Sequence, residues 1–165
     1  MNGMKFMMKK IMIIVSLIVL FLDIISKLLV SHCLIVNESI KIINNFLYLT
    51  YVENDGVAFS LLGGSRILII IMCLIILGFI VYYIRNNKIS LLDSVGFGLV
   101  IGGAVGNLID RVIYGYVIDF IDAYIFGYNY PIFNVADMGV VIGVIIILIS
   151  SFMKERSVLN GNNRG

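Results

Sequence analysis

Charge is scarce in this chain. Asp, Glu, Lys and Arg make up 13% of its 165 residues, 61% are hydrophobic, and the mean hydropathy is +1.07. That composition excludes a soluble domain of this size and makes a bilayer the solvent. Histidine occurs once, at His32, and cysteine twice, at Cys33 and Cys73. A lone His lacks the partner that turns an imidazole into a base or ligand. Two distant Cys give neither a disulfide framework nor metal-ligand spacing. There is no HExxH, no GxSxG and no Gly-rich phosphate loop followed by Lys, so metal, serine-nucleophile and nucleotide-phosphate chemistry lack their signatures. The sequence therefore implies no metal and no cofactor. Its net charge of +2 reflects membrane topology rather than a nucleic-acid partner.

What the chain does have is long apolar runs. Crossing a hydrocarbon core about 30 Å thick takes roughly 20 apolar residues, and four stretches qualify: 11–30, 67–84, 91–109 and 135–152. Lys5, Lys9 and Lys10 precede the first run, but no small-x-small cleavage site follows it, so it reads as a retained anchor. Lys5, Lys9, Lys10, Arg85, Lys88, Lys154, Arg156 and Arg164 fall on one side, against Lys27, Lys41, Arg66 and Arg111 on the other. The richer side is predicted to be cytoplasmic, with both termini inside. The outward connections, about 31–66 and 110–134, carry too many aromatic and β-branched residues for linkers. INNFLYLTYVENDG alternates apolar and polar residues around Phe46, Tyr48 and Thr50, predicting one or two short strands at the membrane surface. Gly56 to Leu62 (GVAFSLL) reads as a short interfacial helix, and the tail from Asn160 is expected to fray. The fold class is thus an all-α polytopic membrane protein in one domain, with four transmembrane helices and a small extracytoplasmic β-rich platform. Glycines 98, 102, 103 and 106 give the third helix a face for close packing.

Against this background the carboxylates stand out. Asp23, Asp55, Asp110, Asp119, Asp122 and Asp137 all map to the outer half of the membrane or its outer surface. Surface residence accounts for Asp55 and Asp122 about as well as function does. Asp110 and Arg111, side by side at the end of the third helix, read as an ion pair or helix-end anchor with Asn107 as a hydrogen-bonding neighbour. Asp119, flanked by apolar residues in YVIDFI, and Asp137, heading the fourth helix, are both predicted to be partly desolvated. Two carboxyls sharing a site keep one proton between them, giving an acid and a base at neutral pH. Such a pair can activate water against an amide carbonyl. It can equally serve proton or cation transport, and a non-catalytic membrane chaperone or assembly factor is a third reading.

Five segments in order carry a resemblance: DIISK with Asp23 and Lys27, NDGVAF from Asn54 to Phe59, GNLIDR from Gly106 to Arg111, DFID from Asp119 to Asp122, and FNVAD from Phe133 to Asp137. Together with the four spans they resemble the lipoprotein signal peptidase (signal peptidase II) family. Its members are bacterial inner-membrane aspartyl proteases that remove signal peptides from diacylglyceryl-modified prolipoproteins just before the lipidated Cys. The resemblance implies a catalytic dyad of Asp119 and Asp137. Asn54, Asn107, Asp110, Arg111 and Asn134 would bind substrate or shape the site, and Asp23 and Lys27 would support it. It implies an active site at the extracytoplasmic face; a monomer in contact with membrane lipid is the default expectation. The chain departs from the family at Met138, where many relatives have Ser, and at Asp55 and Val57, where Thr or Ser and Ala are more usual. These departures bear on specificity and leave the dyad intact.

Overall fold

The computed structural model describes residues 2–56 and 66–162. Helix α1 (Asn2–Cys33) leads to strands β1 (Ser39–Ile43) and β2 (Leu47–Asn54), then to α2 (Arg66–Asn86) and α3 (Leu91–Ile113). Strands β3 (Val117–Ile125) and β4 (Tyr128–Asn129) follow, and α4 (Val135–Asn162) ends the described chain. Among the described residues four helices are long and apolar enough to cross a membrane, over Phe6–Cys33, Arg66–Asn86, Leu91–Ile113 and Val135–Arg156. Each contains the run expected from sequence, extended at one or both ends. Two boundaries differ. Asp110 and Arg111 lie in the last turn of α3 rather than in a loop, and α4 continues through Asn160, where fraying was expected. The predicted interfacial helix lies, beyond Gly56, outside the described residues.

Helix α3 is the centre of the bundle, packed along both α1 and α4, whereas α2 rests against α3 with Ile84 as its buried residue. Lipid is as apolar as the side chains, so packing here rests on close van der Waals approach rather than on exclusion of water. Glycine provides that approach on two faces of α3, not one. A Cβ at Gly98 or Gly102 would fall 2.7 Å from the Met12 carbonyl or 2.6 Å from that of Ser16, both on α1. A Cβ at Gly103 would strike the carbonyl of Ala136 on α4. Gly96 and Gly143 complete the α3–α4 contact against each other's backbone.

The α1–α2 and α3–α4 connections meet in one antiparallel sheet of order β1-β2-β3-β4, with a register break between Leu49 and Val52. Sequence reasoning placed strands in the first connection; the second contributes β3, whose first seven residues are buried apart from half-buried Ile121. Successive strand residues face opposite sides. Ile118 and Phe120 therefore join Val30, Leu34 and Tyr51 in an apolar cluster against the end of α1, while Asp119 between them faces the other way. The apolar flanks that made Asp119 look desolvated are the alternate register of a strand.

Candidate active site

Asp119 and Asp137 arrive from different elements and meet at Asn134. The Asn134 Nδ2 donates to Asp119 Oδ1 at 2.6 Å, and its backbone N–H donates to Asp137 Oδ2 at 3.2 Å. Asn134 also accepts at Oδ1 from the Asp137 N–H at 2.9 Å. The reciprocal pair is a capping box: Asn134 caps α4 and Asp137 stands three residues on. A carboxylate at the head of a membrane helix thus has an ordinary structural use, and α3 begins the same way with Ser90 and Asp93. What sets Asp137 apart is its other oxygen, Oδ1, which accepts from Asn107 Nδ2 at 2.7 Å.

Three asparagines orient the two carboxyls, and each amide is itself fixed by a donor to its oxygen. Asn54 Oδ1 accepts the Gly56 N–H at 2.9 Å, which turns its Nδ2 onto Asp119 Oδ2 at 2.7 Å. Asn107 Oδ1 accepts from Lys27 Nζ at 3.0 Å and from Asn134 Nδ2 at 3.1 Å, leaving Nδ2 for Asp137. Asn134, fully buried, has its oxygen taken by Asp137 N–H and its Nδ2 turned to Asp119. Asp119 is 2% exposed, whereas Asp137 is half-buried and open on one side. Burial is the main reason the Asp119 carboxyl is pushed up to about 6, helped by the nearby Asp137 charge and opposed by the Asn54 and Asn134 hydrogen bonds.

Behind the pair lies a second layer of charge. Lys27, 3% exposed, contacts Asp23 Oδ2 at 2.7 Å and Asp110 Oδ2 at 2.8 Å. Asp110 Oδ2 accepts the Ile118 N–H at 3.2 Å, and Asp23 Oδ1 accepts the Ala136 N–H at 2.9 Å. Each of these acids thereby holds the residue immediately before a member of the Asp119–Asp137 pair. The partner expected for Asp110 is corrected: among the described residues its ion pair is with Lys27, while Arg111 Nη1 donates to the Asn107 carbonyl at 3.2 Å. Neighbours on a helix diverge by about 100°, so Asp110 and Arg111 cannot both face the bundle interior.

The remaining sequence candidates differ in burial. Asp122 is buried on β3 and accepts from Thr50 Oγ1 at 2.8 Å; Asp55 and Met138 are exposed. Val57 lies outside the described residues. Asp93 belongs to a cluster at the other end of α3, bonded to Ser90 and Ser150 and paired with Lys154. Sequence reasoning missed Gly106 as a site residue: a Cβ there would fall 2.5 Å from Asp23 Oδ2. Its signal was in the chain, four residues before Asp110 on a glycine-lined helix. Among the described residues no group of His, Cys, Asp and Glu could hold a metal ion.

This arrangement has relatives. The family model for signal peptidase (SPase) II matches residues 15–153. The lipoprotein signal peptidase of Halothermothrix orenii is 43% identical over 143 residues, spanning 87% of this chain and 96% of its own length. That of Staphylococcus carnosus is 38% identical over 143 residues, spanning 86% and 90%. Two solved structures of bacterial membrane enzymes, obtained by the in meso method at 1.9 and 2.3 Å, superpose with a TM-score of 0.79 each. They are 38% and 37% identical and cover 84% and 87% of this chain, and 90% and 88% of their own. With four candidate spans, an Asp pair at their margin and similarity over most of its length, the chain belongs to the signal peptidase II family.

Proposed function

We propose that the protein is a membrane aspartic endopeptidase that removes the signal peptide of diacylglyceryl-modified prolipoproteins, cutting just before the lipidated Cys. The observation that carries this reading is the joining of Asp119 and Asp137 through one residue, Asn134. Family membership favours a peptidase over the transport and chaperone readings that paired carboxylates alone left open. Asp137, half-exposed and accepting N–H donors at both oxygens, takes a proton from a bound water. Asp119, buried and pushed up to about 6, holds the shared proton and gives it to the carbonyl oxygen; when the tetrahedral diol collapses, Asp119 takes a proton back from its hydroxyl and Asp137 passes the proton won from water to the leaving amine. Asn54, Asn107 and Asn134 hold the two carboxyls with fixed N–H donors, so little reorganisation accompanies the reaction. Arg111, half in solvent on the same helix turn, contacts the substrate backbone. Asp23, Lys27 and Asp110 position the pair through the Ala136 and Ile118 amides.

The richer Lys and Arg side is cytoplasmic, so the pair lies at the extracytoplasmic margin of the cell membrane and works as a monomer. A substrate anchored by its lipid enters sideways, its signal helix among the enzyme's helices. The test is cleavage of a diacylglyceryl-modified prolipoprotein by the purified protein beside Asp119→Asn and Asp137→Asn. Loss of turnover in both variants, with normal insertion and thermal stability, is expected. Turnover retained in either would remove that residue from the dyad.

A further inference from the structure

The rim of the sheet farthest from Asp119 has no role in the site just described. From Tyr124 to Phe133 the chain reads YIFGYNYPIF, five aromatics in ten residues with no charge, and includes the only proline. The turn between β3 and β4 places Phe126 and Gly127 at φ 52° and 80°. Positive φ at both central residues is the habit of Asn-Gly or Gly-Gly, and a bulky ring is rare there. The turn between β1 and β2 follows the habit, with Asn45 at φ 55°. Phe126 does not, and its ring is fully exposed. A strained backbone that projects a phenyl group into open space points to something outside the chain that receives it.

The exposed surface continues beyond that tip. Phe46, on the β1–β2 turn, accepts the Tyr124 N–H at its carbonyl at 2.8 Å, so the two hairpin tips lie side by side. Ile42 and Ile43 on edge strand β1, Phe46, Ile125, Phe126 and Tyr128 are all exposed. Such an uncovered apolar edge in water would recruit other chains. The sheet, however, is fastened to the end of α1 through Val30 and Leu34, and to the start of α4 through the Ile121–Phe133 bridge. It therefore lies at the level where the spans leave the hydrocarbon. Uncharged Tyr and Phe bordering Ile is the composition of a bilayer interface.

We propose that this two-hairpin rim is a lipid-binding surface that beds into the headgroup region of the bilayer and fixes the height of the sheet, and with it the depth of Asp119. The last clause rests on the peptidase reading; the lipid contact does not.

The chain contains no tryptophan, so Phe126→Trp gives a single indole at the tip. In vesicles of phosphatidylglycerol and phosphatidylethanolamine its emission is expected at shorter wavelength than free indole, quenched by lipids brominated near the glycerol and little by iodide. Water-like emission quenched by iodide would overturn the proposal. So would a blue shift insensitive to brominated lipid, which would mean that protein covers the rim. A second variant, Phe126→Gly, relaxes the turn and removes the ring. Stability in detergent is expected to hold or rise and turnover there to match wild type, with several-fold lower turnover in bilayers. Equal turnover in bilayers would overturn the depth-setting role. A wild type inactive in both media would instead remove the peptidase reading, with the fluorescence result still deciding the lipid contact.

Discussion

Replacing Asn54 by leucine tests where the shared proton resides. Asn54 Nδ2 donates to Asp119 Oδ2 at 2.7 Å, a contact that favours the ionised carboxylate and partly offsets the burial that pushes Asp119 up to about 6. A hydrogen bond to a charged group is worth about 1.5–3 kcal/mol. At about 1.4 kcal/mol per pH unit, its loss raises the Asp119 pKa by roughly 1–2. Leucine keeps the branched shape of Asn, is somewhat larger, and admits no water to replace the lost donor. If catalysis needs the proton on Asp119, wild-type kcat/KM falls as pH rises through about 6. In Asn54→Leu the falling limb moves upward by roughly 1–2 pH units, whatever happens to the maximum. The assay is kcat/KM against pH with lipidated substrate in one detergent. A limb that stays in place would mean that Asp119 is not the titrating acid. A limb that moves to lower pH would mean that Asn54 favours the neutral form, contrary to the geometry.

Two further perturbations probe the same site. Gly106→Ala places a Cβ 2.5 Å from Asp23 Oδ2, where the carboxylate is held by Lys27 and the Ala136 N–H. Overpacking of about 1–3 kcal/mol and a loss of turnover on the order of a hundred-fold are expected, measured by thermal unfolding and initial rates. Gly78→Ala, where a Cβ meets nothing within 4 Å, is the control and leaves both unchanged. Stability itself is expected to vary with pH. The folded Asp119 titrates at about 6 against 3.8 for an ordinary Asp, so the folded state binds the extra proton between those values. The contribution of Asp119 to stability is then fully present below about pH 4 and is lost as pH rises through about 6, by on the order of 3 kcal/mol. Denaturation midpoints across that range should show the slope in wild type and lose it in Asp119→Asn.

How much of this was legible depended on the range of the interaction. The four spans could be read because a run of about 20 apolar residues has few other uses. Asp119 and Asp137 drew notice because isolated carboxylates among apolar residues need a reason. Asp23 and Lys27 are four apart on a helix, a spacing at which side chains meet, and they do meet. The partner of Asp110 was not legible, because Lys27 is brought to it by the packing of α1 on α3, which no local pattern encodes. Adjacency in sequence suggested Arg111 instead, and helix geometry forbids that pairing on one face. The glycines announced close packing without saying against what. Gly98 and Gly102 meet α1, Gly103 meets α4, and Gly106 meets a carboxylate. β3 was hidden because YVIDFI, buried on both faces, reads as an apolar run rather than an alternation.

The layer of charge behind Asp119 and Asp137 differs from simple helix packing in how its members depend on one another. One ammonium, Lys27, is shared by two buried carboxylates, and each carboxylate anchors the backbone beside a different member of the Asp119–Asp137 pair. Asp23→Asn leaves Lys27 paired with Asp110, and Asp110→Asn leaves it paired with Asp23. With both replaced, a 3% exposed ammonium keeps no carboxylate and only amide oxygens such as that of Asn107. A buried charge stripped of its partners is strongly destabilising. The double variant should therefore lose more stability than the two single variants together, by about 0.5–3 kcal/mol of coupling. Adding Lys27→Met to the double variant should recover part of that excess, because it removes the unpaired charge itself. Additivity within about 0.5 kcal/mol, with no recovery by Lys27→Met, would show that Asp23 and Asp110 act independently. The Asp119–Asp137 pair would then be held by two separate anchors rather than by one cation common to both.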